Sequence, residues 1–195
     1  MITFYLDVDG VLLDYEGGLR LMLAELYPDV FSETRTVQEM MNCFTEADHR
    51  YKVIRQFMNT EYFSQLPSII NIADYNELRG YGKIYLVTNI PYTAVKFRRD
   101  NLSRLGMIYE EIHSGGFENY GMRDYPLKSE VINKLHPRGE IGYFLDDMVE
   151  NCEDISFNVT NVTPVHLNPD VKDESLFVQV ENFSRFVGLV RKELG

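Results

Sequence analysis

The stretch FYLDVDGVLLD, residues 4–14, decides how this chain folds. It continues ITFYL, residues 2–6, an unbroken run of branched and aromatic side chains, and it ends in two carboxylates one residue apart, Asp7 and Asp9, with Gly10 behind them. A short run that is apolar on both faces predicts a strand buried on both sides, as in a parallel sheet. Two carboxylates at the end of such a strand repel each other in a poorly solvated place unless a cation sits among them. A lone aspartate there is more often a turn or helix-cap residue. D-x-D-G directly after an apolar strand is more specific than that.

Outward from this stretch, residues 15–66 read as helical. YEGG, residues 15–18, predicts a flexible hinge. Leu19, Met22, Leu23 and Leu26 then fall at helical spacing, as do Val37, Met40, Met41 and Phe44, and then Ile54, Phe57 and Met58. From residue 67 on, helix and strand alternate. A helix over 72–82 ends at Gly80 or Gly82 as its cap, and a second buried strand covers 83–89. A helix opens at Pro91 and stops at Gly106. EIHSGG is a short third strand, a helix runs over 126–135, and a fourth strand covers 141–147. TPVHL is a fifth strand, and Phe183, Phe186, Val187, Val190 and Leu194 mark a final helix. This alternation predicts an α/β fold, a doubly wound parallel sheet with a small α-helical cap inserted after the first strand. The core comprises residues 1–14 and 67–195 and the cap residues 15–66.

The chain has 195 residues, 45% of them apolar, enough for a packed core. Its formal net charge of -11 repels the phosphates of nucleic acids and anionic membranes, so neither is expected as a partner. A phosphorylated ligand would need local help from a metal, a lysine or backbone N–H groups. Cys43 and Cys152 form no metal pattern and read as free thiols in a reducing compartment. No basic segment precedes an apolar run at the N-terminus, and Asp7 interrupts the run early, so neither a signal peptide nor a membrane span is expected there. The expected location is cytoplasmic. NVTNVT, residues 158–163, reads as a polar loop, and His113, His136 and His166 as surface or core residues rather than ligands.

In an open parallel sheet, ligands bind outside the carboxyl ends of the strands. Three predicted strands end in polar chemistry: the first in Asp7 and Asp9, the second in Thr88 and Asn89, the fourth in Asp146 and Asp147. Four carboxylates converging on one edge call for a cation, and an all-oxygen site suits Mg2+.

In this order, DVDGVLLD (7–14), LVTN (86–89), the lysine of PLKSE (126–130) and YFLDDMVEN (143–151) resemble the four motifs of the haloacid dehalogenase-like (HAD) superfamily. The resemblance covers the α/β core, and the helical block corresponds to that family's C1-type cap. It implies that Asp7 is a nucleophile that attacks phosphorus and forms an aspartyl-phosphate. Asp9 would be the general acid and then the base, its main-chain carbonyl also contacting Mg2+. Thr88 and Asn89 would bind the substrate phosphate. Lys128 would pair with the phosphate and with Asp7. As residues alone, Lys128 reads equally well as an exposed helix lysine, and Lys134 is its substitute. Asp147 aligns with the direct metal ligand and Asp146 with a residue acting through water or by orienting it. Asn151 stands where the commoner form of the motif has a last aspartate. The implied function is a Mg2+-dependent phosphatase acting on a small phosphomonoester, a nucleotide or a sugar phosphate. The alternatives are a phosphotransferase or phosphomutase of the same fold, or a catalytically silent scaffold acting as a binding protein. Arg20, His49, Arg50 and Arg55 are the polar cap residues within possible reach of a substrate; each reads equally as part of a solvated helix face. The oligomeric state is left open.

Overall fold

The computed structural model describes residues 2–116, 125–170 and 177–194. Six strands form one sheet: β1 (Ile2–Leu6), β2 (Gly82–Thr88), β3 (Ile112–Ser114), β4 (Ile141–Asp146), β5 (Val162–Leu167) and β6 (Val178–Val180). Their order is β3-β2-β1-β4-β5-β6, and every neighbouring pair is parallel. The sheet therefore winds outward in both directions from β1. The topological switch, and the crevice where such folds bind ligands, lies at the carboxyl ends of β1 and β4.

The continuous apolar reading of β1 is explained by burial on both faces. Phe4 and Leu6 belong to one hydrophobic cluster and Tyr5 to the other. The first cluster joins helices α5 (Ile72–Tyr81), α6 (Val95–Arg104) and α9 (Phe183–Leu194) through Leu78, Leu102, Phe186 and Val190. The second joins α7 (Lys128–Leu135) and α8 (Val149–Asn158) through Ile132, Cys152 and Ile155. Helices on both faces of a parallel sheet make three layers, the doubly wound α/β architecture expected from the alternation.

Between β1 and α5 lie α1 (Tyr15–Leu26), α2 (Val37–Asn42), α3 (Ala47–Phe57) and the single turn α4 (Glu61–Ser64). Their inner faces, including Leu19, Met41, Ile54 and Phe63, are continuous with the first cluster.

Several local expectations are corrected. YEGG, expected as a flexible hinge, forms the first turn of α1, capped by Asp14, whose Oδ1 accepts from the N–H of Gly17 at 2.8 Å. Gly18 is glycine because a Cβ there would lie 2.2 Å from the Leu66 side chain. Gly82 is the C-cap of α5, as expected, but not in the left-handed conformation. Its backbone is extended, with φ at -178°, and it begins β2 directly. A Cβ there would meet the main-chain oxygen of Ile2 at 2.1 Å, so the residue must be small for β1 and β2 to pair. Gly106 does adopt the left-handed conformation, with φ at +73°, that stops the preceding helix. A 3-10 turn, Tyr92–Ala94, stands between Pro91 and α6, and α8 and β6 appear in addition to the predicted elements.

Cys43 is exposed and Cys152 buried, and both are free thiols. Among the described residues, no helix is long and apolar enough to cross a membrane.

Candidate active site

The pairing of β1 with β4 extends one step past the strands, because the N–H of Asp7 donates to the main-chain oxygen of Leu145 at 3.0 Å. This places Asp7 beside Asp146, the last residue of β4. The chain then turns back on itself: the N–H groups of Leu12 and Leu13 both donate to the Val8 oxygen at 2.9 Å. Gly10 makes the turn with φ at +88°. A Cβ on Gly10 would lie 2.2 Å from Oδ2 of Asp147. The glycine is needed both for its backbone and for the close approach of that carboxylate.

Lys128, at the first turn of α7, is buried, not exposed. Its Nζ lies 2.9 Å from Oδ1 of Asp7 and 2.6 Å from Oδ2 of Asp146. The approach to Asp7 has ion-pair distance but is off the hydrogen-bond direction, so this buried oxygen lacks an aligned donor. Asp146 is fully engaged. Its other oxygen accepts from the N–H of Met148 at 2.9 Å and from Nδ2 of Asn151 at 3.0 Å. Asn151 therefore orients the buried Asp146. Lys134, the alternative to Lys128, is exposed and lines a separate cavity with Tyr92 and His113.

Asp7, Asp146 and Asp147 each offer an oxygen within 4.8 Å of the others. Burial pushes the Asp7 carboxyl well above the usual carboxylate range, partly countered by Lys128 and reinforced by Asp146 and Asp147. Asp147 is exposed as a residue, but its carboxyl lies against the protein body. That desolvation, followed by the charge of Asp146, pushes it up to about 7. For Lys128, burial favours the neutral amine, but Asp146 and Asp7 outweigh it, so its pKa is raised and it stays charged. Among the described residues, one ammonium thus stands against this cluster of three carboxylates. The donor set is all oxygen, Asp7 and Asp147 have coordination capacity left, and the excess negative charge fits a hard divalent cation such as Mg2+.

Asp9 has a partner that the sequence reading missed. The guanidinium of Arg98 in α6 holds it in a fork, Nε to Oδ1 at 2.7 Å and Nη2 to Oδ2 at 3.0 Å. Arg98 is fully buried, donates through Nη1 to the Phe63 oxygen at 2.6 Å, and lies 3.6 Å above the Phe63 ring. It therefore joins Asp9 to the last helix of the helical block. The signal was present in the sequence: Val95, Arg98 and Leu102 share one buried helix face, and a charge at a core position needs a partner.

Thr88 ends β2 fully buried, and its Oγ1 has no hydrogen-bond partner. A buried hydroxyl left unpaired costs about 1–3 kcal/mol, so it fits a ligand oxygen. Thr88, Asn89, Asp7, Asp9 and Asp147 all line one cavity of about 640 Å3, to which α1, α2 and α3 also contribute lining residues. His166, read as a surface or core residue rather than a ligand, also lines it, with Nε2 3.1 Å from the Asp147 main-chain oxygen. Arg20, His49, Arg50 and Arg55 do not line this cavity.

No protein-family model matches this sequence, and comparison with curated proteins gives no match either. Solved structures do match along nearly the whole chain. YfnB from Bacillus subtilis, assigned to the HAD hydrolases and solved bound to magnesium, superposes with a TM-score of 0.65 at 15% identity, over 96% of this chain and 97% of that one. The HAD-like protein SP0104 from Streptococcus pneumoniae gives 0.65 at 10% identity, over 99% and 98%. The L-2-haloacid dehalogenase from Xanthobacter autotrophicus gives 0.66 at 9% identity, over 98% and 99%. The chain has the fold of the HAD-like hydrolases.

Proposed function

We propose that this protein is a divalent-metal-dependent phosphatase that hydrolyses a small phosphomonoester through an aspartyl-phosphate on Asp7. The observation that carries the proposal is the cluster of Asp7, Asp146 and Asp147 around a single buried ammonium, with the unpaired hydroxyl of Thr88 in the same cavity. Mg2+, the proposed ion, held by Asp7, Asp147 and the main-chain carbonyl of Asp9, with Asp146 behind them, would neutralise charge on the phosphoryl group and keep Asp7 ionised.

The residues divide the remaining work. An oxygen of Asp7 attacks phosphorus, and the bond from phosphorus to the ester oxygen breaks. Asp9 gives a proton to the departing alkoxide. Water then attacks phosphorus, Asp9 takes its proton, and the bond from phosphorus to Asp7 breaks to release inorganic phosphate. Arg98 occupies one lone pair on each Asp9 oxygen and leaves a second on each to carry that proton. Lys128 and the Thr88 hydroxyl bind phosphate oxygens, with the backbone at Asn89 beside them. The helical block, residues 15–66, acts as the lid that excludes bulk water from the cavity.

Two features favour phosphoryl transfer over the halide displacement named for some proteins of this fold. A halide leaves as a stable anion and needs no acid, whereas Asp9 provides one. A haloacid offers no phosphoryl charge for a metal to neutralise, whereas the carboxylate cluster here calls for one. The test is hydrolysis of p-nitrophenyl phosphate with Mg2+ and with excess chelator. Metal-dependent release of p-nitrophenol and inorganic phosphate supports the proposal. Equal rates under both conditions refute metal dependence, and transfer of the phosphate to an added sugar instead of water identifies a phosphotransferase.

A further inference from the structure

The cavity also carries information about the alcohol half of the ester. Its apolar lining includes Leu19, Val37, Met41, Ile54, Met58 and Ile90. The polar lining groups are mainly acidic or neutral, Asp14, Glu16 and Gln38 among them, with the His166 imidazole beside Asp147. Among the described lining residues there is no lysine or arginine.

Among the described residues, Lys128, Arg98 and Arg20 are already engaged. Lys128 serves Asp7 and Asp146, and Arg98 serves Asp9 and the Phe63 carbonyl. Arg20 donates to the main-chain oxygens of Ser32, Glu33 and Arg35. Arg55 lines a neighbouring cavity beyond Ile54 and Met58. A second anionic group on the substrate would therefore lose its hydration against methyl and methylene groups and face the carboxylates of Asp14 and Glu16, with no lysine or arginine among the described lining residues in return. Sugar hydroxyls set against these six apolar side chains would likewise go unpaired. An apolar group gains by leaving water there.

We propose that the chamber selects phosphomonoesters whose sole anionic group is the phosphate and whose alcohol portion is apolar. This assignment rests on the phosphatase function proposed above, and it narrows the substrate away from sugar phosphates and from esters with a second acid.

The experiment compares kcat/KM of the full chain with Mg2+ for ethyl, butyl and hexyl phosphate, for 6-phosphonooxyhexanoate and for glucose 6-phosphate. Each methylene buried raises kcat/KM about fourfold, so hexyl phosphate is expected roughly 10²-fold above ethyl phosphate. The carboxylate-bearing ester is expected at least about tenfold below hexyl phosphate, as is glucose 6-phosphate. The variant Met58→Arg, which places a cation in the wall, is expected to close the gap between the carboxylate-bearing ester and hexyl phosphate. A flat alkyl series, or equal or better turnover of either polar ester by the unaltered protein, overturns the substrate class and leaves the phosphatase function standing. Failure of every ester, p-nitrophenyl phosphate included, to release phosphate overturns the phosphatase function and this assignment with it.

Discussion

Replacing Lys128 by methionine removes the single ammonium from the carboxylate cluster while keeping most of the side chain's volume. Nζ of Lys128 lies 2.9 Å from Asp7 and 2.6 Å from Asp146. At an effective dielectric of about 20, each attraction is worth about 6 kcal/mol before the desolvation of the ions is subtracted. Removing one partner of a buried pair leaves an uncompensated charge, with a net cost of about 3–5 kcal/mol. In a chain of this length that lowers the melting temperature by about 6–20 °C. The protein has an escape, because Asp7 is already pushed upward and can take a proton instead. The loss should therefore be largest near pH 8 and shrink toward pH 5. Adding Asp7→Asn to Lys128→Met should recover about 1 kcal/mol or more, because one of the orphaned carboxylates is then neutral. The assay is urea unfolding of the metal-free proteins at both pH values. A loss below about 1 kcal/mol at pH 8, or one that does not change with pH, would refute the claim that Lys128 compensates these carboxylates.

Three other outcomes follow from the same geometry. Thr88→Val removes a buried hydroxyl without a partner, so stability in urea should hold or rise by about 1 kcal/mol, while kcat/KM falls about tenfold or more. Arg98→Met should lower kcat/KM for alkyl phosphates at least about tenfold more than for p-nitrophenyl phosphate, whose leaving group needs little protonation, because Arg98 positions the acid Asp9. Equal losses on both esters would reduce Arg98 to a structural role. Asp147 is raised to about 7 in the metal-free fold, against about 3.9 for an unfolded aspartate, so the folded state binds the extra proton between those values. Its contribution to metal-free stability is present below about pH 4 and lost as pH rises through about 7, and added Mg2+ should restore it. Thermal unfolding across that range, with and without the ion, checks the sign.

The layered sheet was legible because its central strands are buried on both faces and read as unbroken apolar runs. Asp7, Asp9 and Gly10 were legible because the order strand, carboxylate, carboxylate, glycine has few purely structural explanations. Lys128 was ambiguous until the fold brought α7 under β1 and β4, since its burial depends on partners at residues 7 and 146. Helix α8 was missed because VENCEDISFN carries its buried residues Cys152 and Ile155 among charges, and Asn151 and Asp154 are buried as hydrogen-bonding groups that a hydrophobic pattern cannot show. Strand β6, three residues long, is below the length at which alternation is readable. The glycines after Asp14 suggested flexibility, but the fold uses Gly18 for contact with Leu66. The fork between Arg98 and Asp9 joins positions 89 residues apart, so no local pattern pairs them.

The most direct test of the central claim is to trap the covalent intermediate. Asp9→Asn lacks the base that activates water, but p-nitrophenyl phosphate needs little acid to depart, so the first step should outrun the second. Acid-quenched protein, after incubation with this ester and Mg2+, would be read by intact mass and peptide mapping. The account predicts one added phosphoryl group, on Asp7, and none when chelator replaces the ion. Release of phosphate by unaltered protein, with no covalent phosphate found or with the label on another residue, would contradict it.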